Sequence, residues 1–78
     1  MVEELNSLEH LKPGFVLNLD GGPTGRVGNI VHPFNCPHVS RMTVPPRKLR
    51  GETVEELEAW VLERGGELDP IHPTCSYV

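Results

Sequence analysis

Apolar residues recur along this chain in three successive rhythms. Leu5, Leu8 and Leu11 stand three apart with Glu3, Glu4 and Glu9 among them, which predicts a short amphipathic turn or helix stopped by Pro13-Gly14. From Phe15 the period falls to two: Phe15, Leu17 and Leu19 alternate with Val16 and Asn18, the pattern of a strand. Asp20-Gly21-Gly22-Pro23-Thr24-Gly25 is dense turn chemistry, since glycine supplies positive φ and proline sets a corner. Residues 26–31 then read as the returning strand of a hairpin, with Val27 and Val31 on one face and Gly28 at a bulge. A third strand is expected over residues 39–44, ended by Pro45-Pro46, neither of which can donate to a ladder. Thr53 opens the clearest element. It is a good N-cap, Glu56 completes a capping box, and Val54, Leu57, Trp60 and Val61 form one stripe over residues 54–64. Gly65-Gly66 ends that helix. A short edge strand is expected at 76–78.

The predicted architecture is α+β: a small antiparallel sheet, made of the hairpin plus short strands, with one helix packed across it through its Trp60 face. Seventy-eight residues allow a single domain spanning 1–78. Such a chain buries only about 60–65% of its unfolded surface, and its core rarely supplies more than ~3–5 kcal/mol, so a metal, a disulfide or a partner is often added. Hydrophobic residues at 37% and charged residues at 23% fit a folded domain rather than a disordered chain. No run approaches the ~18 apolar residues of a membrane span, and no basic-then-apolar signal opens the chain, so a cytoplasmic protein without a membrane partner is expected.

Charge changes the picture through its distribution. The net charge of −4 argues against wholesale nucleic-acid binding. Residues 41–50, however, hold Arg41, Arg47, Lys48 and Arg50 and no acid, whereas residues 52–69 hold seven acids against Arg64 alone. The basic segment is a candidate strip for phosphate, pre-extended by Pro45 and Pro46. The simpler reading is two solvated surfaces, basic and acidic, that attract each other.

The candidate chemistry lies in two similar loops. The first reads Ile30-Val31-His32-Pro33-Phe34-Asn35-Cys36-Pro37-His38 and the second Pro70-Ile71-His72-Pro73-Thr74-Cys75. Both cysteines and three of the four histidines of the chain fall there. Zinc takes four nitrogen or sulfur ligands in a tetrahedron, usually two from each of two stiff loops. His32, Cys36, His72 and Cys75 would supply such a set, with His38 as a substitute for either histidine. Two free thiols, or a Cys36–Cys75 disulfide, are the alternatives; a cytosolic setting disfavours the disulfide. A Cys36–His38 nucleophile pair is conceivable, but nothing marks an oxyanion hole or a cleft, and the chain is not expected to be an enzyme. The glycines at 21–25 lack the Gly-Lys-Ser/Thr ending of a phosphate loop.

The stretch Val31-His32-Pro33-Phe34-Asn35-Cys36-Pro37-His38-Val39, with the later Pro73-Thr74-Cys75, resembles the short His/Cys metal-binding modules appended to nucleases and DNA-repair proteins, over some twenty residues. The second half departs from that pattern by offering one cysteine instead of two. Leu11-Lys12-Pro13-Gly14 with Gly25-Arg26-Val27-Gly28-Asn29-Ile30 is similar to the opening hairpin of SH3-like barrels. The first resemblance implies a zinc-stabilised accessory module of a nuclease or restriction enzyme, and the acid-free basic segment adds Arg41, Arg47, Lys48 and Arg50 as the residues expected to meet nucleic-acid phosphate. The other reading is a protein-interaction module docking through its acidic helix or an exposed Trp60.

Overall fold

The computed structural model describes residues 1–75. Four strands, β1 (Glu3–Leu5), β2 (Phe15–Leu19), β3 (Asn29–Pro33) and β4 (Lys48–Gly51), form one antiparallel sheet in the order β1-β4-β2-β3, and α1 (Val54–Glu63) follows β4. The α+β architecture is therefore the one expected from the sequence pattern, with different outer strands. The hairpin of β2 and β3 pairs Phe15 with Pro33 and Leu19 with Asn29, so the returning strand starts later than the expected 26–31. Val27 stays out in solvent, 70% exposed.

Two expectations are overturned. Leu5, Leu8 and Leu11 do not build a helix: Glu3–Leu5 pairs with β4 as an edge strand, Glu3 opposite Arg50 and Leu5 opposite Lys48. The leucine spacing reflects packing, because all three cover the sheet face opposite α1. Residues 39–44 are not a strand either. Val39–Arg41 is a 3-10 turn, and the missing strand lies in the basic segment, where Lys48–Gly51 is held between β1 and β2. The edge strand expected at 76–78 lies outside the described residues.

Alternation along the strands gives the sheet two covered faces. Leu17, Leu19, Val31 and Leu49 meet Leu57, Val61 and Leu68, all buried, with Phe15, Val54 and Trp60 at the margin. Leu57 and Val61, rather than Trp60, form the buried stripe of the helix. Arg64 instead lies over the Trp60 ring, 3.7 Å from its centroid, a cation–π contact at the domain surface. On the other face, Val16, Cys36 and Val39 are buried beneath Leu5, Leu8, Leu11 and Met42.

The helix ends behave as their residues dictate. The Thr53 hydroxyl accepts from Glu56 N–H, and the Glu56 carboxylate accepts from Glu52 N–H at 3.0 Å. At the far end, Gly66 N–H donates to Val61 O and Gly65 N–H to Leu62 O, a Schellman pair that requires the left-handed φ of +84° at Gly65. The chain then turns back as a strap along the outer edge of β3. Glu67 N–H donates to Gly25 O, Asp69 N–H to Asn29 O, Val31 N–H to Pro73 O and Cys75 N–H to Val31 O, with Val31 and Thr74 forming a parallel bridge.

Candidate metal centre

The strap places Cys75 over the end of β3, and this completes a cluster. His32, directly opposite Val16 in the hairpin, points to the face away from α1. Pro33 then bends the chain, and a tight turn follows in which Cys36 N–H donates to Pro33 O and Val39 N–H to Cys36 O. That turn swings Cys36 back under His32 and carries His38 to the start of the 3-10 turn. The potential donor atoms of His32, Cys36, His38 and Cys75 all lie within 4.8 Å of one another.

The individual separations carry more weight than the grouping. Cys36 Sγ is 3.8 Å from Cys75 Sγ, 3.5 Å from His38 Nδ1 and 3.8 Å from His32 Nδ1, and His38 Nδ1 is 3.2 Å from Cys75 Sγ. A tetrahedron with Zn–S of ~2.3 Å and Zn–N of ~2.0–2.1 Å has edges of about 3.8 Å between sulfurs and about 3.5 Å between sulfur and nitrogen. Four of the six donor–donor separations therefore match such a tetrahedron to within about 0.3 Å, and the other two, from His32 to His38 and to Cys75, lie within 4.8 Å. The cysteines are free thiols.

His32 is 8% exposed and Cys36 2%, whereas His38 is exposed and Cys75 half-buried. Burial, reinforced by His38 and then Lys48, holds the His32 imidazole below its usual range, which favours the neutral form that ligates metals. Burial and the adjacent Cys36 push the Cys75 thiol up. A divalent cation between the two sulfurs would reverse that effect on Cys75.

Of the five sequence candidates, the structure brings together His32, Cys36, Cys75 and His38, and leaves His72 outside the group. His72 N–H donates to Asp69 Oδ1 at 2.9 Å, and its side chain lines an outer cavity of about 350 Å3 shared with His32, His38 and Cys75. Two residues not singled out by sequence hold the strap in place. Asp69 accepts from Gly28, Ile71 and His72 N–H, each at 2.9 Å. Those bonds, from His72 first and then Gly28 and Ile71, keep its carboxyl below the usual range. Asn29, fully buried, accepts from Gly21 N–H and donates to Gly22, Gly25 and Glu67 carbonyls. The available signals were local: an Asp-Pro start to a loop favours an Asx turn, and an Asn beside a glycine-rich turn is suited to bonding its backbone.

The basic segment is dispersed. Lys48 is buried and its Nζ donates to Pro46 O at 2.7 Å. Arg47 is paired with Glu4 on the α1 side, and Arg50 with Glu3, 3.7 Å away, on the other. Strand alternation divides what looked in sequence like one strip. Arg41, exposed at the end of the 3-10 turn, has no ion pair among the described residues.

No helix among the described residues is long and apolar enough to cross a membrane. Compared with known protein families, characterised proteins and solved structures, the chain matches none, so its functional reading rests on the His32–Cys36–His38–Cys75 geometry.

Proposed function

We propose that the chain is a small zinc-stabilised binding module in which His32, Cys36, His38 and Cys75 hold one structural zinc. The observation that carries this reading is the convergence of two sulfurs and two imidazoles from separate parts of the chain, with four of their separations at the lengths a tetrahedral zinc site needs. Four protein ligands close the coordination sphere, the pattern of structural rather than catalytic zinc. The ion would tie the end of β3 to the strap, joining residues far apart in sequence where a domain this small has little core to spend on order.

The partner reading that the charge arrangement favours is a protein. Arg47 and Arg50 already have carboxylate partners, Lys48 is buried, and α1 offers Glu55, Glu58 and Glu63 beside the 55% exposed Leu62. Nucleic-acid phosphate is the second reading. Arg41 favours it by standing exposed just after the ligand-bearing turn, and the exposed Arg47–Glu4 pair, worth ~0–1 kcal/mol, exchanges readily for phosphate. An accessory role beside a nuclease belongs to that second reading.

The test is metal content per chain after purification without added zinc, with single substitutions. One zinc is expected in the wild type and in His72→Ala, and loss of metal in Cys36→Ser, Cys75→Ser and His38→Ala. Absence of metal together with full stability in strong chelator overturns the zinc reading. Binding to a random duplex then separates the partners: phosphate contacts lower log affinity by about 0.9 each per log unit of salt, whereas no binding at low salt leaves the protein reading.

A further inference from the structure

We propose that Cys36 and Cys75 form a peroxide-sensitive modification site: a hydroperoxide joins the two sulfurs as a disulfide, which replaces zinc as the link between β3 and the strap. This rests on the zinc reading above. Three observations carry it. The sulfurs are 3.8 Å apart, so bond formation at ~2.05 Å needs an approach of about 1.8 Å, within reach of side-chain rotation. Their accessibilities differ: Cys75 lines the outer cavity of about 350 Å3, while Cys36 is 2% exposed beneath apolar side chains. Finally, both backbones are anchored in the folded chain, Cys75 N–H on Val31 O and Cys36 N–H on Pro33 O, so the two sulfurs stand side by side where the peroxide reacts.

The chemistry divides along that asymmetry. The Cys75 thiolate attacks one oxygen of the hydroperoxide; the O–O bond breaks, a sulfenic acid forms at Cys75, and hydroxide (alkoxide, from an organic peroxide) departs. The Cys36 thiolate then attacks Cys75 Sγ, the S–O bond breaks, the S–S bond forms and a second hydroxide leaves. Two electrons pass from the two sulfurs to the peroxide, and solvent protonates both leaving groups. The disulfide no longer offers thiolate ligands, so zinc departs with only His32 and His38 to retain it. The loop closed by the new bond is long, and such a cross-link restricts the unfolded chain as the metal did.

The experiment treats the zinc-loaded full chain with equimolar hydrogen peroxide. It follows zinc with a chromogenic chelator and the protein by intact mass after alkylation. One zinc released per two thiols lost, with a mass decrease of two hydrogens and no added oxygen, is the expected result. Dithiothreitol plus zinc should reverse it. The oxidised, zinc-free chain should keep its fold in chelator, whereas the reduced, zinc-free chain should lose it. Zinc retained under peroxide, or released with oxygen added at Cys75 and no disulfide, overturns the exchange while leaving the metal reading intact. A chain that holds no zinc before peroxide is added overturns both.

Discussion

Asn29→Ala tests the internal clamp on which the metal centre depends. The Asn29 carboxamide is 0% exposed. Its Oδ1 accepts from Gly21 N–H at 3.0 Å, and its Nδ2 donates to Gly22 O at 2.9 Å and to Gly25 O and Glu67 O at 3.3 Å. Two N–H groups thus serve three carbonyls, making about three full hydrogen bonds in all. At a net ~1 kcal/mol each they contribute about 3 kcal/mol, and the Gly21 N–H, on an exposed residue, adds ~0–2 kcal/mol more when left without its acceptor. The expected loss is about 3–5 kcal/mol, most of the stability available to a domain of this size. At ~4–8 °C per kcal/mol for a small domain, the melting temperature should fall by about 15 °C or more. Zinc affinity should weaken as well, because Glu67 begins the strap that ends at Cys75. Asn18→Ala is the internal control. Asn18 lies in the neighbouring strand, but its Oδ1 is buried without a hydrogen-bond partner among the described residues, so removing it should change stability by no more than about 1 kcal/mol. Urea and thermal unfolding of both zinc-loaded variants would measure the difference. If the two Asn→Ala changes fall within about 0.5 kcal/mol of each other, the hydrogen-bond reasoning is wrong.

Acid should expose the role of Asp69. Its folded-state pKa is depressed by backbone N–H bonds from His72, Gly28 and Ile71. The stability it contributes is therefore complete above the unfolded value of ~3.9 and lost as pH falls through the lower folded value. Asp69→Asn should unfold more easily at neutral pH and show a flatter decline below about pH 4, read as urea midpoint against pH; parallel curves for the two proteins would refute this. Lys48 offers the opposite case. Burial lowers its pKa and, among the described residues, its Nζ has only Pro46 O for a partner, so Lys48→Met should leave the melting temperature unchanged or raise it, as replacements of buried charge by well-packed apolar groups often do. A clear fall would show that the ammonium stabilises the fold.

Local chemistry made some elements readable in advance. The β2 strand followed from strict alternation, and α1 from a capping box, an apolar stripe and a Gly-Gly stop, all features that act within a few residues of chain. The same was true of the metal-binding inventory, since thiols and imidazoles confined to two proline-stiffened loops point to soft-metal chemistry before any fold is known. Leu5, Leu8 and Leu11 misled because a spacing of three marks a helix only if the segment packs as one. Here β4 offered Glu3–Leu5 a strand edge, and Leu8 and Leu11 were drawn over the sheet face opposite α1.

The sequence by itself therefore determined the α+β class, the hairpin start, the helix and its caps, and the cysteines and histidines available for a metal. Tertiary structure alone decided which of them meet. The likeness of the two His-Pro loops suggested one histidine from each. In the folded chain, though, the turn after Pro33 brings His38 back to Cys36, while Asp69 fixes the backbone at His72 and the strap carries Cys75 onward to the cluster. Tertiary structure likewise separated the basic strip, because inserting Lys48–Gly51 between β1 and β2 sends successive side chains to opposite faces, Leu49 toward α1 and Lys48 and Arg50 away from it. The meeting of Cys75 with Cys36 and the placing of Lys48–Gly51 in the sheet depend on pairings between residues thirty or more positions apart, and neighbouring residues carry no energetic trace of such contacts until the chain has folded.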